Sequence, residues 1–125
     1  MQKNQTDPEA VLQALRTLRL PVQSGEYDLH RLVMDCLDRA GISCRHEVPL
    51  APRCRIDLVC GTVGVEIKRG HAQRKRVLEQ IRRYLSSEEL TCLILVTEHT
   101  LNLPSSIAGK AVYEVCLARL WGIAL

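Results

Sequence analysis

Arg55-Ile56-Asp57-Leu58-Val59-Cys60-Gly61-Thr62-Val63-Gly64-Val65-Glu66-Ile67-Lys68-Arg69 is the stretch from which the fold is read. Two apolar runs meet at Gly61-Thr62, a Gly-first pair suited to a two-residue hairpin turn. With that turn Cys60 faces Val63, Leu58 faces Val65, and Asp57 lies directly opposite Glu66. Alternation along a strand places Lys68 on the same face as Glu66, with Val65 and Ile67 on the other. Two carboxylates opposed across an antiparallel pair repel each other. Such a pair is best reconciled by a cation between them, and a divalent ion held by oxygen ligands is the natural one. A lysine alongside can orient or activate a water. These three side chains outline a metal-dependent phosphodiester hydrolase.

The rest of the chain supplies a frame for the hairpin. Asp7-Pro8-Glu9 is a helix start, with Asp7 as N-cap and Pro8 at the first helical position. Val11, Leu12, Leu15 and Leu18 give that helix (7–20) one apolar face, and Pro21 stops it. A second helix is predicted from Ser24 to Ala40, ended by Gly41, with Leu29, Leu32, Val33, Cys36, Leu37 and Ala40 as its stripe. Glu26 falls near the buried side of its first turn, and Asp28 competes with it there. Residues 42–50 are predicted as a strand, and 53–60 and 63–69 as the hairpin. A helix follows over 72–86, with Val77, Leu78, Ile81, Tyr84 and Leu85 inward and Gln80 at the border. Thr91 to Thr97 is a continuous apolar run, as expected of a strand covered on both faces. A loop through Asn102-Leu103-Pro104 and Gly109 leads to a strand at 111–116 and a short C-terminal helix. The expected order is α-α-β-β-β-α-β-β-α, an α/β domain with helices flanking a mixed central sheet.

Composition bounds the function. A chain of 125 residues, 46% hydrophobic and 25% charged, is most simply one globular domain, 1–125, with a real core. There is no Phe, one Trp and three Tyr, which argues against a base-stacking single-strand binder, since that needs aromatic platforms. The net charge of +3 says less than its distribution, because Arg69, Arg74, Lys75, Arg76, Arg82 and Arg83 follow the hairpin closely. No apolar run approaches the length of a membrane span, and no leader is visible, so a cytoplasmic protein of a bacterial or phage-infected cell is expected. The six cysteines form no C-x-x-C pair and fall mostly at apolar positions, which suits buried free thiols in a reducing compartment. A zinc site from Cys44, His46, Cys54 and Cys60 lacks a recognised spacing.

Ile56-Asp57, a spacer, then Glu66-Ile67-Lys68 resembles the core signature of the PD-(D/E)XK nuclease superfamily, with Ile56 where the nominal motif has proline. Glu26 resembles the motif-one glutamate of Holliday-junction resolvases. Gln80 and Tyr84, in Gln80-Ile81-Arg82-Arg83-Tyr84, resemble the Q-x-x-x-Y element of RecB-type members. The likeness covers residues 24–98, and the chain looks similar to small phage or prophage proteins and to stand-alone resolvases. The N-terminal helix and the segment 111–123 are additions to that core. The resemblance implies a restriction-endonuclease-like core and a Mg²⁺ or Mn²⁺ ion on Asp57, Glu66, the Ile67 carbonyl and Glu26. Lys68 would position the attacking water or stabilise phosphorane charge, with Gln80 assisting. Arg69, His71, Arg74, Lys75, Arg76 and Tyr84 would contact DNA.

No target-recognition domain fits in this length. Structure-selective DNA cutting by a homodimer, or delivery by a helicase-type partner, fits better than sequence-specific cutting by a monomer. Leu12, Leu15, Leu18 and Leu120-Trp121 are candidate dimer surfaces, with packing onto their own domain as the plainer reading. The competing reading is a nuclease fold used as a binding module or as a partner-dependent subunit in phage–host conflict, without turnover of its own.

Overall fold

The computed structural model describes residues 6–19 and 28–122. Its elements are α1 (Pro8–Leu15), α2 (Leu29–Arg39), β1 (Arg45–Ala51), β2 (Cys54–Cys60), β3 (Val63–Lys68), α3 (Arg74–Leu85), β4 (Cys92–Thr97), β5 (Ser106–Ile107), β6 (Lys110–Cys116) and α4 (Leu117–Trp121). The strands form one six-stranded sheet in the order β1-β2-β3-β4-β6-β5. β1, β2 and β3 run antiparallel to one another, β4 is parallel to β3, β6 is parallel to β4, and β5 is antiparallel to β6. The molecule is thus an α/β domain with a mixed sheet flanked by helices.

Local chemistry accounts for the helix ends. Asp7 caps α1 by accepting from the Glu9 N–H at 3.1 Å, with Pro8 in the first turn. α2 begins at Leu29 rather than Ser24, because Asp28 is extended and its carboxylate accepts from the Arg31 N–H at 3.2 Å. Glu26 lies outside the described residues. Gly41, at φ 76°, closes α2, with its N–H on the Asp38 carbonyl and the Ile42 N–H reaching back to Leu37.

Two apolar layers sandwich the sheet. Val63, Val65, Ile67, Ile94 and Val96 pack against α1, α2 and Leu117. Ile56, Val59, Leu93, Leu95 and Val112 pack against Val77, Ile81, Tyr84 and Leu85 of α3. β4 is buried along its whole length, as its unbroken apolar run requires. Leu12, Leu15 and Leu18 are buried in the first of these layers, and the Trp121 indole N–H donates to the Leu18 carbonyl at 3.0 Å. The three leucines are packed onto their own domain, while Leu120 and Trp121 pack against the same layer and stay partly exposed.

Three features depart from expectation. Residues 102–109 were read as a loop, yet they contain β5, joined to β6 through Ala108-Gly109. Both turn residues have positive φ (55° and 76°), the conformation of a tight hairpin, and alanine gave no warning of it. Cys44 and Cys60 were read as free thiols but form a disulfide, because the β1–β2 register sets their Cα atoms 4.2 Å apart. That bond also removes two of the four suggested zinc ligands, while Cys36, Cys54, Cys92 and Cys116 are free.

The third departure lies inside β2. Cys54 and Ile56 belong to the α3 layer, whereas Leu58 and Cys60 belong to the opposite layer. Regular alternation would keep all four on one face. The phase therefore changes at Asp57. On β1 the rung opposite Asp57, between His46↔Leu58 and Val48↔Ile56, is Glu47, whose φ is 51°. A left-handed non-glycine residue costs about 1–2 kcal/mol. Strain of this kind is spent at the rung that carries the conspicuous carboxylate.

Candidate functional site

The β2–β3 ladder follows the expected register through Cys60↔Val63, Val59↔Gly64 and Leu58↔Val65. Gly61, at φ 66°, makes the turn. Beyond Leu58↔Val65 the main chains part, and side chains take over the hydrogen bonds. The Asp57 N–H donates to Glu66 Oε1 at 3.1 Å, and the Ile67 N–H donates to Asp57 Oδ2 at 2.8 Å. Each carboxylate thus stands in for the backbone acceptor of the facing strand. This reciprocal exchange holds two like charges together at the mouth of the hairpin.

Around that pair the surroundings differ by side. Glu66 is 4% exposed and turned toward α3. Its Oε2 lies 3.0 Å from the Tyr84 hydroxyl and 3.4 Å from Lys68 Nζ. Burial and the neighbouring charge of Asp57 push the Glu66 carboxyl up to about 7 from a usual 4.5, against the pull of the Asp57 N–H, Lys68 and Tyr84. The Tyr84 hydroxyl is itself pushed well up by burial and by Glu66. Tyr84 also sits 3.0 Å from the Arg55 carbonyl. A single hydroxyl proton cannot serve both acceptors, so the network has two settings. An ionised Glu66 accepts a hydrogen bond from the tyrosine hydroxyl; a protonated Glu66 donates to the tyrosine oxygen, whose hydroxyl then donates to the Arg55 carbonyl.

On the α2 side His30 Nε2 lies 3.5 Å from Asp57 Oδ2. His30 is not among the candidates expected from the sequence. Its signal was available: a titratable side chain in the first turn of the helix whose N-terminus was expected to serve the hairpin.

The remaining candidates separate into those near the carboxylates and those engaged elsewhere. Lys68, Arg76, Gln80, Arg82 and Arg83 line a cavity of about 760 Å³ between the end of β3 and α3. Lys75 is exposed. Arg74 is instead tied to the loop after β4, donating from Nε to the Leu101 carbonyl at 2.9 Å and from Nη2 to Asn102 at 3.1 Å. Tyr84 is 1% exposed and so reaches Glu66 rather than any external ligand. Arg69 Nε lies 3.7 Å from Glu98 Oε2, and His71 is stacked on His99. Among the described residues no three His, Cys, Asp or Glu side chains converge as a ready-made metal cage. No described helix is long and apolar enough to cross a membrane.

Compared with protein-family models, curated proteins and solved structures, the chain matches none.

Proposed function

We propose that the chain is a metal-dependent nuclease of the PD-(D/E)XK type, cutting phosphodiester bonds in DNA. The observation that carries this reading is the reciprocal pair Asp57–Glu66 with Lys68 Nζ 3.4 Å from Glu66. Burying one carboxylate beside another is unfavourable without a counter-charge, and Lys68 does not fully offset it, since Glu66 stays raised.

The donor set fits a hard cation. Asp57, Glu66 and the Ile67 carbonyl offer oxygens suited to Mg²⁺ or Mn²⁺, and His30 adds a nitrogen at Asp57. Such an ion, when bound, would lower the pKa of its water and stabilise charge on the phosphate. The chain's own residues do the rest. Lys68, partly exposed at the cavity, places a positive charge where an attacked phosphate becomes more negative. Arg76 and Arg83 supply screened attraction for a polyanion. Tyr84 orients Glu66 from beneath.

One observation favours a second reading, a nuclease fold that binds without turnover. Both carboxylates already accept backbone N–H groups, so their network is satisfied by the protein itself. Homodimer or helicase partnership belongs to either reading.

The test is cleavage of labelled linear duplex, single strand, flap and four-way junction with Mg²⁺ or Mn²⁺, using Asp57→Ala and Lys68→Ala as controls. Loss on the order of 10²- to 10³-fold in both variants is expected. The same metals should raise the Tm of the wild-type protein and not that of Asp57→Ala. A folded wild type that cuts nothing and gains no stability from metal would return the fold to the binding reading.

A further inference from the structure

The loops leaving β3 and β4 hold an arrangement that the carboxylate site does not use. His71 lies three residues beyond Lys68, and His99 lies two beyond Thr97, the residue paired with Lys68 across the sheet. Their imidazole rings stack with centroids 3.6 Å apart and planes 19° from parallel. His99 is half-buried and His71 exposed, so His71 is the outer ring of the stack.

Both loops are held from within. Glu98 accepts the Gly70 N–H at 2.6 Å and lies 3.7 Å from Arg69, while its carbonyl accepts the Ala118 N–H at 3.3 Å. Arg74 grips the carbonyls of Leu101 and Asn102. Neither histidine belongs to an apolar layer of the domain. Two imidazoles stacked in water stabilise a fold little. A pinned, exposed aromatic ring is what a stacking ligand needs, because its ordering cost is already met.

We propose that the His71–His99 stack is a platform for an unpaired nucleobase next to the phosphodiester held at Lys68. This rests on the nuclease reading and narrows it to single-stranded, flapped or frayed substrates. Three residues of chain place the platform within about 11 Å of Lys68 along the backbone. A flanking nucleotide is therefore the part of a substrate that meets it. Histidine rings serve as stacking planes for splayed bases, and the positive lining of the cavity carries the attached phosphates. A base paired in the interior of a duplex is stacked on both faces and cannot lie flat on His71.

Binding of labelled single strand and of blunt duplex is to be measured by anisotropy in EDTA, so that nothing is cut. His71→Ala should weaken single-strand binding roughly five- to tenfold, the lower part of the range for one lost base stack, and leave duplex binding and the salt slope unchanged. His71→Phe, which keeps the plane and discards the imidazole nitrogens, should restore it. Equal losses on both substrates with a shallower salt slope would make His71 a phosphate contact and overturn the platform. So would His71→Ala binding both substrates like wild type. A wild type that binds neither substrate in EDTA would overturn the platform, while the nuclease reading itself is decided by the cleavage panel with metal.

Discussion

The two ends of the β2–β3 hairpin are built on opposite principles. At the turn, from Leu58 to Val65, the main chains pair directly and every side chain outside Gly61-Thr62 is buried and apolar apart from Gly64. The Cys44–Cys60 bond ties that end to β1 as well. At the mouth, one residue further on, the ladder is made by carboxylates, the strand alternation changes phase at Asp57, and Glu47 across the way is left-handed. One end is optimised for cohesion. The other holds charge, burial and strain that cohesion alone would discard, which is the usual signature of a site rather than of a scaffold.

Removing charge at the mouth should break the contrast most sharply. Glu66→Gln is expected to lower cleavage on the order of 10³-fold while making the metal-free protein more stable at neutral pH. The sign follows from the raised carboxyl. Between its usual 4.5 and about 7, the unfolded chain has released the proton and the folded chain still holds it. Wild-type stability therefore falls as pH rises through that window and stays low above it. Glutamine has no such slope. Urea or thermal unfolding at pH 4 to 8 should show the two proteins diverging across the window, and parallel curves would remove the strained carboxylate from the argument.

Gly64→Ala asks the reverse question at the cohesive end. A Cβ there would lie 2.8 Å from Ile56 Cδ1 and 2.9 Å from a Leu90 methyl. Both neighbours are essentially fully buried, so neither has room to swing aside. Overpacking of this kind costs about 1–3 kcal/mol, and a loss of that size lowers the Tm of a small domain by roughly 5–15 °C. Activity per folded molecule should be unchanged. A large loss of activity at full stability would mean the two ends are not separate in function.

The cohesive end was the legible one. Its turn chemistry and its alternation, and with them the opposition of Asp57 to Glu66 at the mouth, are local consequences of the residues between 55 and 69, and the apolar run at 91–97 declared β4 just as directly. The features at the mouth depend on what lies beside the hairpin. The phase change needs β1 in register with β2, and Glu47 gives no sign in sequence of a positive φ. The Cys44–Cys60 bond comes from the same register, between residues that composition treats as ordinary buried thiols. His30 reaches Asp57 only once α2 is docked. Tyr84 was legible as a residue of interest, but its burial under Glu66 belongs to the packing of α3 on the sheet. Glu26, expected as a ligand in the first turn of a helix starting at Ser24, falls outside the described residues, and Asp28 is the residue that caps α2.

The smallest expected effect is the most discriminating about how the mouth works. Tyr84→Phe removes one oxygen and nothing from the apolar packing of α3. The Arg55 carbonyl and Glu66 Oε2 each lose their neighbour at 3.0 Å, which should cost about 1 kcal/mol of stability. The hydroxyl also favours the ionised form of Glu66, so its loss raises the Glu66 carboxyl further. If Glu66 acts only when ionised, the acidic limb of the cleavage profile should move to higher pH, with the alkaline plateau little altered. A uniform drop at every pH would make Tyr84 a mere prop for the loop at Arg55. A shifted limb would make it the residue that lets a buried carboxylate give up its proton near neutrality.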